Sequence, residues 1–140
     1  MTPFRIEHIR QNRSKPGLMR QHLTAVQAAG QIGQAEVEGD EVGSTELSFA
    51  PKGLVAGDYE FAIGTAGSTS LVLQAILPAL LVADGTSRVT IEGGTHNPWA
   101  PPFEFLSRVF LPLLARMGAR VELSSTGLGF IRPAAARSVP

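Results

Sequence analysis

The chain has 140 residues, 44% of them hydrophobic, and carries no formal net charge at pH 7. That length and apolar content allow one domain with a packed core and exclude wholesale disorder. The neutral balance confines any nucleic-acid site to a local patch, and the absence of cysteine excludes disulfides and thiolate metal sites.

"PFRIEHIR" alternates Phe4, Ile6 and Ile9 with polar residues and reads as a strand. "QNRSKPG" is a loop punctuated by Pro16-Gly17. Leu18, His22 or Leu23, Val26 and Ala29 then fall at helical spacing, and Gly33 is a stop for that helix. "AEVEGDEVGSTELSFAP" holds two short strands around turn residues, and "DYEFAIG" another. "GTAGSTSLVLQAILPALLVADG" is a glycine-rich turn opening an apolar helix that Pro78 should bend. "SRVTIEGG" is a strand. "PPFEFLSRVFLPLLARMG" is a helix with prolines tolerated at its start and Pro112 inside, and "ARVELSSTGLGF" closes with strands.

The segment "ILPALLVADGTSRVTIE" is echoed by "FLPLLARMGARVELS", and more loosely by "LTAVQAAGQIGQAEVE". Each runs from a helix to a strand. The expected fold class is α/β (α+β), with repeated βα units and helices near 18–31, 68–83 and 102–117 on one face of β-sheets. No apolar run reaches the ~18 residues of a membrane span. The start "MTPFRIEHIR" lacks the apolar core of a signal peptide. A cytoplasmic protein with no membrane partner is expected.

Three stretches carry candidate chemistry. In "RQNRSKPGLMRQH", Arg10, Arg13, Lys15 and Arg20 have no acidic neighbour. Guanidinium groups grip phosphates bidentately, and a helix start just beyond adds donors. The plainer reading is a solvated basic loop balanced by Glu36, Glu38, Asp40 and Glu41. In "GTAGSTSLVLQ", Gly64 and Gly67 let backbone N–H groups approach an anion, or they make an ordinary turn. Gln74, about one turn further on, faces inward in an apolar helix on this reading and needs partners there. In "IEGGTHNPWAPPFEFL", Thr95, His96 and Asn97 follow paired glycines, with Pro98, Pro101 and Pro102 stiffening the path. Such loops at strand ends build sites. Trp99 reads as a packing anchor rather than a stacking platform. His8, His22 and His96 lack metal-ligand spacing.

Taken together, "NRSKPGLMRQHLTAV", "GDYEFAIGTAGSTSLVLQAILPAL" and "VTIEGGTHNPWAPPFEFL" resemble the RNA 3′-terminal phosphate cyclase family, in order and spacing, over residues 3 to 130. The glycine-threonine-x-asparagine-proline and double-proline loop is a hallmark of that family. Glu104 stands where its members usually have aspartate. The resemblance implies an ATP-dependent enzyme that converts an RNA 3′-phosphate end to a 2′,3′-cyclic phosphate through enzyme–AMP and RNA–adenylate intermediates, with a divalent metal (Mg or Mn). It implies that Gln74 contacts the nucleotide and that Arg10, Arg13 and Gln21 line the phosphate and active-site segment. A noncatalytic RNA-binding assembly factor of the same family is the alternative.

The same resemblance places the family's "EGGGQ"-type segment before Pro3, and its small inserted domain and nucleophilic histidine outside these residues. None of His8, His22 and His96 stands in the nucleophile's context. No residue of the chain is therefore assigned as catalytic or as a metal ligand, and the chain is expected to be inactive alone. Residues 1–130 read as a partial large domain holding part of one repeat and most of the next. Residues 131–140 read as a tail in a shifted frame: TAT-CCG-GCC-GGC-GGC, losing its first base, encodes Ile-Arg-Pro-Ala-Ala, the residues from Ile131 to Ala135.

Overall fold

The computed structural model describes the backbone of residues 2–125 and 130–137, and the side chains of residues 2–125. The elements follow in the order β1 (Phe4–Ile6), α1 (Arg20–Ile32), β2 (Glu36–Glu38), β3 (Leu47–Ala50), β4 (Asp58–Ala62), α2 (Thr69–Val82) and β5 (Thr86–Glu92). Then come α3 (Phe103–Phe105), a π-helical turn (Leu106–Phe110), α4 (Leu111–Arg116), β6 (Arg120–Ser125) and β7 (Phe130–Arg137). Residues 126–129 and 138–140, the last of these within the expected shifted-frame tail, lie outside the described residues.

Two sheets form. The first is antiparallel, in the order β1-β3-β2, with Phe4 paired to Phe49 and their rings stacked at 5.4 Å. The second is mixed, in the order β4-β5-β7-β6. In it β4 and β5 run parallel, while β7 lies antiparallel to both β5 and β6. The two close sequence echoes are thereby explained. Each helix–proline–strand copy delivers a strand of the same direction, β5 from α2 and β6 from α4, with β7 inserted between them. The looser copy, α1 followed by β2, feeds the other sheet.

The expected helices on one face are present. Along β4 and β5, Phe61, Val89 and Ile91 are buried, while Asp58, Glu60, Arg88 and Glu92 are exposed. This period-two alternation belongs to a sheet covered on one side. Val72, Leu73, Ile76, Leu77 and Leu80 of α2 cover it, with Ala28 and Ile32 of α1 packed alongside. Helix α1 buries Thr24, Ala28 and Ile32 rather than a stripe through Leu23, Val26 and Ala29. The buried line thus begins with two small side chains, while the bulkier Leu23 and Val26 are only half-buried.

Pro78 lies within α2, which remains α-helical around it. The third expected helix is not uniform. Pro112 offers no N–H to the carbonyl of Arg108, and its ring crowds that carbonyl. The chain widens for one turn, and the Leu111 N–H bonds the Leu106 carbonyl instead. Gly33 does cap α1, but in a right-handed conformation, and Gln34 takes the left-handed position at φ 45°. The Ala35 N–H then reaches back to the Gly30 carbonyl at 2.8 Å.

Candidate functional site

The loop after β5 and the turn before α2 are zipped together. The Gly94 N–H donates to the Gly67 carbonyl at 2.7 Å, and the Gly94 carbonyl accepts from the Thr69 N–H and the Thr69 hydroxyl, both at 2.9 Å. A Cβ on Gly93 would stand 2.7 Å from Ile63 Cδ1 and 2.8 Å from the Gly67 carbonyl oxygen. The paired glycines therefore answer to close backbone approach. The same contacts decide the role of the glycine-rich turn. The Ser68 N–H donates to Gln21 Oε1 at 3.0 Å, Thr69 to Gly94, and Leu71 to the Ser68 hydroxyl at 3.3 Å. Three of the donors at the start of α2 are thus engaged within the protein, which gives the turn a structural role.

The loop itself is braced at both ends. Asn97 Nδ2 donates to the Ala66 carbonyl at 2.6 Å. Thr95 Oγ1 lies 3.0 Å from His96 Nδ1, and His96 Nε2 lies 2.9 Å from Glu104 Oε2. The Glu104 carboxyl is held below its ordinary range, first by a hydrogen bond from its own backbone N–H and then by the His96 ring. An ionised carboxylate only accepts, so His96 Nε2 donates, and in the neutral ring Nδ1 accepts from the Thr95 hydroxyl. Glu104 thus anchors the loop to α3.

A cleft of about 850 Å³ opens between this loop and the basic loop, with Arg10, Arg13, Gln21, His22, Ser68 and Trp99 among its lining residues. Three of the four expected site residues therefore converge. Their states differ. Arg10 Nη1 donates to the Lys15 and Gly17 carbonyls at 2.7 and 2.9 Å, closing the basic loop on itself. Gln21 tethers α1 to Ser68 through its side-chain carbonyl. Arg13 is exposed, and among the described residues no carboxylate pairs with it. Of the acidic run expected to balance this loop, Glu36 pairs instead with Lys52 at 2.6 Å.

Gln74 does not join them. It is exposed, not inward-facing, because α2 buries positions 69, 70, 72, 73, 76, 77 and 80 and leaves 74, 75 and 78 outside. Pro78 cannot donate to the Gln74 carbonyl, and exposure lets water take that role. Gln74 lines a separate apolar pocket of about 110 Å³, together with Leu73, Leu77, Pro101, Phe105 and Phe110. Trp99 is not a packing anchor either, being 100% exposed. Among the described residues no group of three His, Asp or Glu side chains gathers to hold a metal ion, and no helix is long and apolar enough to cross a membrane.

His22 and Trp99 reach the cleft without having been assigned to it. The signal for His22 was its place three residues after Met19, whose N–H donates to His22 Nδ1 at 3.1 Å across the helix start. Burial, and secondarily the Arg10 charge, lower the His22 pKa. The folded state then binds fewer protons than the unfolded state, so stability rises with pH. The contribution is complete above the unfolded value of about 6.5 and is lost as pH falls through the lower folded value. Urea unfolding from roughly pH 5 to pH 7.5 should show this rise, and His22→Gln should flatten it.

A family model described as RNA 3′-terminal phosphate cyclase matches residues 1–136. The RNA 3′-terminal phosphate cyclase of Ectopseudomonas mendocina (strain ymp) is 66% identical over 128 residues, covering 91% of this chain and 38% of that relative. That of Ralstonia nicotianae (strain ATCC BAA-1114 / GMI1000) is 62% identical over 129 residues, covering 92% and 37%. The Koribacter versatilis (strain Ellin345) protein of the same name is 55% identical over 128 residues, covering 91% and 36%. The chain thus spans just over a third of the length of the curated relatives it matches. With the family model covering nearly every residue and the glycine-threonine-histidine-asparagine-proline loop at the mouth of the cleft, the chain belongs to the RNA 3′-terminal phosphate cyclase family.

Proposed function

We propose that this chain takes part in the ATP-dependent conversion of an RNA 3′-phosphate end to a 2′,3′-cyclic phosphate, a ligase-type step of RNA processing in the cytoplasm. In that reaction a histidine nitrogen attacks the α-phosphorus of ATP and pyrophosphate leaves. AMP passes to an oxygen of the RNA 3′-phosphate. The neighbouring 2′-hydroxyl then loses its proton, attacks the phosphorus of the RNA 3′-phosphate and expels AMP as the bond between them breaks. None of His8, His22 and His96 is assigned as the nucleophile, and no residue of this chain is assigned to a metal.

The observation that carries the reading is Arg13, a guanidinium on a large cleft that no carboxylate pairs with among the described residues. A fixed fork of donors suits a terminal phosphate dianion. Arg10 adds charge from the same wall while bracing the loop. Gln74 suits a different part of the chemistry. Its neutral amide, above an apolar pocket walled by Pro101 and Phe105, fits the edge and face of the ATP base. The test is end discrimination. A short single-stranded RNA ending in a 3′-phosphate should bind this chain about tenfold more tightly than the same RNA ending in a 3′-hydroxyl. Equal affinities would remove the cleft from the reaction.

A further inference from the structure

We propose that Trp99 is a stacking platform for a nucleobase at the end of the RNA, and that it sets how the 3′-phosphate is presented to Arg13. The proposal rests on the RNA reading above and names the part of the substrate that a second wall of the same cleft would hold. Trp99 is the only tryptophan in the sequence and is fully exposed, yet it lies on a cleft rather than on an open face. Its backbone is left-handed, at φ 69°. That conformation is uncommon for a bulky residue and is held only where the surroundings impose it.

The surroundings do impose it. Asn97 is pinned to the Ala66 carbonyl, the Ala100 N–H donates to the Asn97 carbonyl at 3.4 Å, and the Thr95–His96–Glu104 chain anchors the loop to α3. Pro98, Pro101 and Pro102 restrict what remains. A flat ring is thus carried into solvent on a stiff stem, so stacking on it loses little backbone freedom. Unpaired RNA ends are gripped by this pairing of groups, an aromatic face for the base and cations for the phosphates.

An apolar protein segment could also cover an indole, but it would leave Arg10 and Arg13 of the same cleft without countercharge. A nucleotide brings both the π-face and the anion. Stacking reads no hydrogen-bond pattern, so the preference among terminal bases should be shallow and should favour the larger purine face.

Because Trp99 is the sole tryptophan, its emission reports this site alone. The whole chain would be titrated with a short single-stranded RNA bearing a terminal adenosine 3′-phosphate, and with the same RNA carrying an abasic terminal ribose 3′-phosphate. Indole emission and the anisotropy of a dye on the RNA 5′ end would be followed together. The expected result is saturable quenching by the first RNA. The abasic RNA should bind about tenfold more weakly and quench little. Trp99→Ala should bind both RNAs with the weaker affinity, and Trp99→Phe should recover most of the loss, since a flat ring is kept. Binding of the intact RNA without quenching, at an affinity Trp99→Ala does not change, would overturn the stacking role and leave the RNA reading standing. No binding of either RNA would overturn both. Emission that shifts with protein concentration alone would assign the ring to a second copy of the chain instead.

Discussion

Gly94→Ala should destabilise the protein by about 3 kcal/mol or more, a large effect for one methyl group. A Cβ there would lie 2.5 Å from the Ala66 carbonyl oxygen and 2.6 Å from Asn97 Oδ1. The asparagine could swing away, but the carbonyl is backbone and accepts the Asn97 amide that pins the loop. Relief therefore requires the turn before α2 and the loop after β5 to part. Their separation breaks the Gly94–Gly67 hydrogen bond and strands the N–H and hydroxyl of Thr69, a residue with 0% exposure. Buried donors without partners add their desolvation penalty to the steric one. The control is Gly53→Ala, whose new Cβ would meet nothing nearer than Gln34 Oε1 at 3.8 Å. That change should stay within about 0.5 kcal/mol. Urea midpoints of both variants give the comparison. Equal midpoints would mean that the two loops are not held together by these hydrogen bonds.

What could be read from the sequence divides along physical lines. Strands β4 and β5 were legible because one face of their sheet is covered, which forces alternation at Phe61, Val89 and Ile91. The helix–proline–strand echo was legible because each copy solves the same packing problem. The orientation of Gln74 was not, because α2 is apolar at nearly every position and its composition does not mark the outer stripe. Helix α1 presented the opposite difficulty. Its buried line uses Thr24 and Ala28, chosen for size rather than hydrophobicity.

The glycine-rich turn stayed ambiguous for a third reason. The Ser68 N–H finds its partner in Gln21, 47 residues away, and the Thr69 hydroxyl in Gly94, 25 residues away. No local pattern encodes a partner at that range. Trp99 was misread because hydrophobicity ordinarily places such a residue inside. A left-handed backbone between prolines turned it out, and backbone geometry of that kind is not written in periodicity. Position in a motif brought Arg10, Arg13 and Gln21 to one cleft, but it could not say that Arg10 and Gln21 also hold the loops in place.

Arg13→Ala and Gln74→Ala should separate RNA binding from nucleotide binding. Arg13 meets no carboxylate among the described residues, so its guanidinium is available to a phosphate. A hydrogen bond to a charged group contributes about 1.5–3 kcal/mol, so its loss should weaken binding of 3′-phosphorylated RNA roughly ten- to a hundredfold. One fewer phosphate contact should also lower the dependence of log affinity on log salt by about one unit. Arg13→Lys should restore the salt dependence, because the charge returns. It should restore less of the affinity, because an ammonium cannot grip two oxygens in the fork geometry. Gln74 lines the other pocket and carries no charge. Its removal should leave RNA affinity within about twofold and weaken ATP binding by about 0.5–1.5 kcal/mol, the net worth of a neutral hydrogen bond. The measurement is a pair of titrations, RNA and ATP, on each variant across a range of salt. If Arg13→Ala bound the 3′-phosphorylated RNA like the parent chain at every salt concentration, Arg13 would be a solvated surface charge. The cleft would then lose its assigned ligand, whatever Gln74 does in the pocket beside it.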